Sequence, residues 1–137
     1  MAGDLQVLGR AVKQAQYRHH RALDSGLAAV GTTLAQWDAL RAIDRDPGSS
    51  ARALAERTFQ TEQAFGTLAS RLVARGLVER TPGRGRTIEH RLTVAGAKIL
   101  AAGNKVADSV LADSFAALSA AERITLLNLL ERVGSSG

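Results

Sequence analysis

SSARALAERTFQTEQAFGTLASRLVARGLVERTPGRGRTIEHRL, residues 49–92, is the stretch whose reading decides the fold. Within it Phe65, Leu68 and Leu72, with Thr61 one turn earlier, recur at the three- and four-residue steps of a half-buried helix. The opposite stripe, Glu62, Gln63, Gly66, Thr67 and Ser70, is polar or small, so it is either solvated or meant for another polar molecule. The Thr61 hydroxyl can cap the first turn. At the far end Arg75 suits the negative helix terminus, Gly76 can take the left-handed position, and Leu77 can fold back onto the last turn.

On the N-terminal side, Ser49 or Ser50 can cap a shorter helix through about Arg57, with Ala51, Leu54 and Ala55 facing inward. Thr58, Phe59 and Gln60 form the turn between the two helices. On the C-terminal side, Leu77–Thr81 and Thr87–Leu92 are strand-like runs around the turn-rich segment Pro82, Gly83, Arg84, Gly85 and Arg86. A short helix, a tight turn, a longer helix and a basic hairpin are the layout of a winged helix-turn-helix.

Outward from this stretch the chain is helical. Leu5, Leu8, Val12, Ala15, Leu23, Leu27 and Val30 predict a long amphipathic helix over residues 5 to about 29, with Arg10, Lys13, Arg18 and Arg21 on its polar face. A terminal helix longer than one small lobe needs usually packs on a partner. Thr33 and Gln36 read as a capping box for a helix from Leu34 to about Ile43, whose apolar side is Trp37, Leu40 and Ile43. After the hairpin, Thr93 can cap a helix from Val94 to about Phe115, marked by Ile99, Leu100, Val106, Val110 and Leu111 and weakened locally by Gly96 and Gly103. Ser119 and Glu122 form a second capping-box pattern. It opens a last helix whose apolar residues, Ile124, Leu126, Leu127, Leu129, Leu130 and Val133, cover too wide a face for a solvent-facing tail.

The chain of 137 residues is the size of one domain, and its apolar content with few aromatics suits a helical core of Ala, Leu and Val. The absence of cysteine excludes disulfides, thiol redox sensing and thiolate zinc sites. No run approaches the roughly 18 apolar residues of a membrane span, so a soluble, cytoplasmic protein without membrane attachment is expected. Of the formal net charge of +5, residues 75–98 carry +4, from six basic and two acidic side chains. A basic patch focused on one element is the footprint of a phosphate-backbone binder; beside a helix-turn-helix that reading outweighs a merely solubilising surface.

Catalytic readings fare poorly. His19 and His20 are adjacent and point to different sides of a helix, and His90 stands alone, so each reads as a satisfied or exposed histidine rather than a metal ligand. The PGRGR loop lacks the spacing of a phosphate-binding P-loop. No catalytic set, metal or cofactor is expected.

The run LAERTFQTEQAFGTLASRLVARGLVER, followed by the Arg-rich loop and HRLTVAGAKIL, with LAQWDAL (Leu34–Leu40) upstream and a helix at each end, resembles the MarR family of bacterial transcription regulators over nearly the whole chain. The resemblance implies a mainly α fold with a small β-hairpin wing and long N- and C-terminal dimerisation helices. Residues 1–30 and 94–133 would form the dimerisation helices, 33–92 the DNA-binding lobe, and 134–137 a disordered tail. It also implies a homodimer on a pseudo-palindromic operator in double-stranded DNA, with release by a small-molecule effector.

Carried over residue by residue, the DNA-facing candidates are Ser50, Thr61, Gln63, Thr67, Ser70, Arg71, Arg84 and Arg86. Gln63 can read adenine with two hydrogen bonds. Glu62 can accept from cytosine N4 or favour the helix dipole, and the dipole role is preferred. The chain departs from the family's pattern by lacking arginines at 62 and 67, by carrying Phe59 where relatives often have Gly, and by presenting Arg84 and Arg86 without the acidic residue that often braces the wing arginine. A wing that is mobile until DNA orders it is therefore expected. Tyr17, Trp37 and Arg41 are the candidates for an effector cleft, although a core or surface role is the commoner fate of such residues. The rival reading is a winged helix used for protein contact, antirepressor-like, which does not read DNA.

Overall fold

The computed structural model describes residues 2–135. Six helices and one hairpin follow in the order α1 (Ala2–Ala28), α2 (Leu34–Arg45), α3 (Ala51–Arg57), α4 (Glu62–Ala74), β1 (Val78–Pro82), β2 (Ile88–Leu92), α5 (Val94–Ser114) and α6 (Ala120–Arg132). The strands are antiparallel, with Arg80 opposite His90 and Pro82 opposite Ile88. The first strand thus begins one residue later than the sequence pattern predicts and takes in Pro82. Proline fits there because a two-stranded sheet consists only of edges.

Helix starts are set locally. Thr33, Ser50, Thr61, Thr93 and Ser119 each accept a hydrogen bond from the backbone N–H three residues on, a contact worth about 1 kcal/mol per helix. Ser50, not Ser49, caps α3; the Ser49 hydroxyl instead donates to the Asp46 carbonyl at 2.7 Å. The box at Ser119 and Glu122 is complete. At α2 only the Thr33 half forms, because the Gln36 side chain turns away to accept from Arg75.

The core is one cluster in which Leu23 and Leu27 of α1, Trp37, Leu40 and Ile43 of α2, Leu54 of α3, Phe65 and Leu72 of α4, and Leu100 of α5 are buried. Both glycines that would weaken α5 mark close approaches. A Cβ at Gly96 would lie 2.0 Å from the Leu77 carbonyl oxygen, and one at Gly103 would lie 2.6 Å from the Trp37 ring. The helix therefore trades propensity for contact with the wing and with α2. Trp37 is a core residue, its indole N–H donating to Asn104 Oδ1 at 3.0 Å.

The two ends of the chain are different. No residue of α6 is buried, and Leu5, Leu8, Ile124, Leu127 and Val133 are exposed. At the tail, Gly134 has a left-handed φ of 73° and the Ser135 hydroxyl donates to the Arg132 carbonyl; residues 136 and 137 lie outside the described residues. Among the described residues no helix is long and apolar enough to cross a membrane.

The turn between α3 and α4 carries the one non-glycine residue with positive φ among the described residues, Phe59 at 57°. Its side chain is 95% exposed, so no burial offsets the strain. A left-handed L-residue costs about 1–2 kcal/mol, against roughly 0.5–1 kcal/mol for the extra unfolded-state freedom of glycine. Phe59→Gly is accordingly expected to raise stability by about 0.5–1 kcal/mol and the melting temperature by ~2–4 °C. Thermal unfolding followed by circular dichroism checks this, and a lower melting temperature would show that Phe59 makes a contact the isolated chain lacks.

Candidate nucleic-acid interface

Helix α4 is seated by Phe65, Ala69 and Leu72, which are fully buried and turn the residues between them outward. Glu62, Gln63, Thr67, Ser70 and Arg71 are exposed on the outer side, with Thr61 at the cap. The Thr67 hydroxyl donates back to the Gln63 carbonyl at 3.2 Å, and the Ser70 hydroxyl to the Gly66 carbonyl at 3.0 Å. Their protons are thus used within the helix, and Ser70 Oγ also accepts from Arg80, which leaves Thr67 acceptor capacity and both residues shape to offer a ligand. The Gln63 amide side chain has no hydrogen-bond partner among the described residues.

Between Ser49 and Leu92 eight arginines divide into two groups. Four are tied into the fold. Arg57 pairs with Asp46 at 2.7 Å and Arg91 with Glu89 at 3.2 Å. Arg80 of β1 donates to both the Gly66 carbonyl and Ser70 Oγ at 3.1 Å, fastening the wing to the middle of α4. Arg75, at the end of α4, donates to the Gly31 carbonyl at 2.8 Å and to Gln36, fastening that helix to the α1–α2 connection. The other four, Arg52, Arg71, Arg84 and Arg86, are exposed, and their guanidinium groups have no partner among the described residues.

Arg71 lies on α4, Arg52 near the start of α3, and Arg84 and Arg86 on the hairpin loop. Arg52 and Arg86 line one groove of about 400 Å³ together with Ser50, Glu62, Thr87 and Ile88. Arg84 stands at the hairpin tip, where the Gly83 N–H donates to the Thr87 carbonyl, the Thr87 N–H to the Arg84 carbonyl, and Gly85 takes a φ of 61°. The loop is closed by these bonds. An acid does lie against its base, since a Cβ at Gly83 would meet the Glu89 carboxylate at 2.8 Å, but Glu89 is paired with Arg91 and leaves the tip arginines unbraced. Sequence reasoning named Arg71, Arg84 and Arg86 and missed Arg52. The signal was available, for Arg52 lies two residues beyond the cap of α3 and a helix N-terminus favours anions.

His90 holds the wing to the α2–α3 connection and to α4. It is 2% exposed, its backbone bridges to Ser49, its Nδ1 lies 3.0 Å from the Ser49 carbonyl oxygen, and its ring meets Phe65 edge-on with centroids 6.0 Å apart. Burial is the main cause holding its pKa below the usual 6.5, with the nearby Arg80 charge adding to this and the Ser49 hydrogen bond opposing it. A histidine with a depressed folded pKa contributes stability that is fully present above its unfolded pKa. That stability is lost as pH falls from about 6.5 through the folded value, where the unfolded chain binds the proton more readily. Melting temperature is therefore expected to drop between pH 7.5 and 5.5, and His90→Asn, less stable throughout, should lose this part of the pH dependence.

The effector candidates are not brought together in one chain. Trp37 is in the core, and its ring face carries the Arg41 guanidinium 4.6 Å from the centroid. Arg41 also lies 3.7 Å from Asp38, whose pKa is raised by burial, in opposition to the charge of Arg41. With Asp38, Arg45, Arg57, Phe59 and Asn104, Arg41 lines an open cleft of about 570 Å³ between α2, the α3–α4 turn and α5. Tyr17 is elsewhere. Its hydroxyl accepts from Arg21 at 3.2 Å, and it borders a separate recess with Arg10, Lys13, Gln14 and Arg18.

Residues 30–86 match the MarR family model. The fold agrees over a wider span. A mutant MarR of E. coli, solved in complex with operator DNA, superposes with a TM-score of 0.89 at 25% identity, covering 98% of each chain. The chain is similar to the MarR family in its helix-turn-helix stretch and in its fold. An HTH-type transcriptional repressor of Mycobacterium tuberculosis is 29% identical over 115 residues, 82% of this chain and 83% of the relative. A MarR family protein of the same species, in complex with p-aminosalicylic acid, has a TM-score of 0.76 at 26% identity and covers 93% of this chain and 98% of that one. In MarR terms α3 and α4 are the helix-turn-helix and β1–β2 the wing.

Gly66 tests whether the outer face of α4 meets DNA. A Cβ there would have no atom within 4 Å, so the fold does not require glycine. In a helix interior, Ala is favoured over Gly by about 1 kcal/mol. Gly66→Ala is expected to raise the melting temperature and, if the outer face of α4 meets a base edge, to weaken duplex binding, because the added methyl stands between Glu62 and Ser70 on that face. A stabilised variant with unchanged affinity would remove this face from the interface.

Proposed function

We propose that this protein is a MarR family transcriptional regulator that binds a pseudo-palindromic operator as a homodimer, placing α4 in the major groove and the wing over the adjoining backbone. The observation that carries this is the division of the lobe's arginines, since those without a partner among the described residues lie on α4, at the start of α3 beside Glu62, and on the wing loop. A guanidinium left without a protein partner is suited to a phosphate. Gln63 faces a base edge; Ser50, Arg52, Thr61, Arg71, Arg84 and Arg86 position the lobe on sugar and phosphate; and Thr67 and Ser70, whose hydroxyl protons are held within α4, shape the face between them. The two-fold symmetry of the dimer predicts half-sites about 10 bp apart.

Dimerisation uses α1 with α5 and α6, whose exposed apolar residues have no cover in one chain. The relative that holds p-aminosalicylic acid supports a small-molecule effector here too. The cleft of Arg41, Arg45, Arg57 and Asn104 offers cationic and amide donors to a carboxylate, with Phe59 as an aromatic wall. In this reading Trp37 acts by supporting Arg41, and Tyr17 joins the cleft only if the partner's α1 brings it there. The protein works by binding and carries out no reaction, in the cytoplasm with the chromosome.

The test is duplex binding followed by fluorescence anisotropy across a salt series, then selection of bound fragments from genomic DNA. A DNA reader binds nonspecific duplex with a steep negative slope of log affinity against log salt and enriches a palindrome. An antirepressor-like module would show neither.

A further inference from the structure

Glu62 is an oddity on a surface made for a polyanion. It is the first residue of α4, exposed, and borders the same groove as Arg52 and Arg86, yet its carboxylate makes no ion pair or hydrogen bond among the described residues. The cap of the helix is already supplied by Thr61, whose hydroxyl accepts from the Ala64 N–H at 3.0 Å. One turn on, Gly66 has no side chain and its Cβ position opens on empty space, so nothing separates the Glu62 carboxylate from a molecule laid along this face. A carboxylate held there would meet the repulsion of two phosphate backbones unless a donor on the DNA repaid it.

We propose that Glu62 is a specificity-determining residue that selects cytosine at one position of each half-site, an inference that rests on the DNA-binding reading above. The chemistry narrows the choice. An ionised carboxylate only accepts hydrogen bonds. In the major groove guanine presents N7 and O6 and thymine presents O4, all acceptors that repel it. Adenine offers its N6 amino group beside its own acceptor N7, whereas the N4 amino group of cytosine adjoins only C5–H on its own base. Adjacent Gln63, with both a donor and an acceptor, suits adenine. The unpaired Arg52 and Arg86 beside Glu62 neutralise phosphates on either side, so the acid is set among cations that are free to hold the backbone while it reads the base. Its negative charge also penalises duplexes that offer no amino group, which favours discrimination over raw affinity.

The experiment runs selection from a randomised duplex library in parallel on the full-length wild type, Glu62→Gln and Glu62→Ala, with circular dichroism melts as a check on folding. The wild type is expected to enrich one cytosine per half-site, with a preference of about tenfold or more over the other bases in competition binding. In Glu62→Gln this should fall to within about twofold, with adenine newly accepted, because the amide has a donor for N7. Glu62→Ala should show no preference there and should bind nonspecific duplex more tightly than the wild type. The positions read by Gln63 should be unchanged in both variants. A wild-type motif without that cytosine, or one that survives Glu62→Gln with only affinity or melting temperature altered, overturns this proposal alone. A wild type that enriches no sequence overturns the DNA-binding reading and this proposal with it.

Discussion

Replacing Arg84 and Arg86 together by Ala is expected to weaken operator binding roughly a thousandfold near 0.15 M salt and to flatten the plot of log affinity against log salt by about 3.6 units. Each phosphate contact is worth about 0.9 of slope, and a dimer loses two contacts for each arginine. The loss should be nearly the same for operator and random duplex, because phosphates and a narrow minor groove are recognised by charge and shape. Neither guanidinium has a partner among the described residues, so the substitutions should leave the melting temperature close to that of the wild type. Gln63→Ala is the counterpart. It should keep the salt slope and lose about 1–3 kcal/mol of discrimination at one position per half-site. If the wing variants lost specificity and the Gln63 variant lost affinity for all sequences alike, the roles of wing and helix would be reversed.

Deleting residues 119–137 is expected to abolish the dimer. Helix α6 has no buried residue, and Ile124, Leu127, Leu129, Leu130 and Val133 are all exposed beside an apolar recess formed with Phe115. An isolated helix of this length is marginal in water, so its stability must come from a surface it packs against. At about 1.5–3 kcal/mol per covered side chain, those residues represent on the order of 10 kcal/mol per chain before ordering costs. Leu5, Leu8 and Val12 of α1, exposed in one chain, would then lose the surface proposed to cover them as well. Light scattering should report a monomer or aggregate, and operator affinity should fall by about 10²–10⁴, the factor that linked half-site binding supplies. A well-folded dimer of the shortened chain would refute the assignment of the end helices.

Local chemistry determined where the elements lie. A cap is a contact between a side chain and a backbone N–H three residues away, and apolar periodicity is read within a window of a few turns, so the helix starts at Thr33, Thr61, Thr93 and Ser119 and the faces of α2 and α4 were legible in the sequence. The basic excess on the hairpin was legible for the same reason, since charge is counted without knowing its surroundings. Tertiary structure alone decided which arginines are free. Arg75 is engaged by Gly31, 44 residues away, and Arg80 by Ser70, ten residues away across the strand–helix contact, while Arg52 in a run of ordinary helix formers is left open. It also decided that His90 is a buried anchor, that Tyr17 stands apart from Trp37 and Arg41, and that Phe59 is held at a glycine-like φ with its ring in solvent. Each of these depends on which distant backbone or side chain comes within about 3–5 Å, a distance set by packing of the whole core and carried by no window of the sequence.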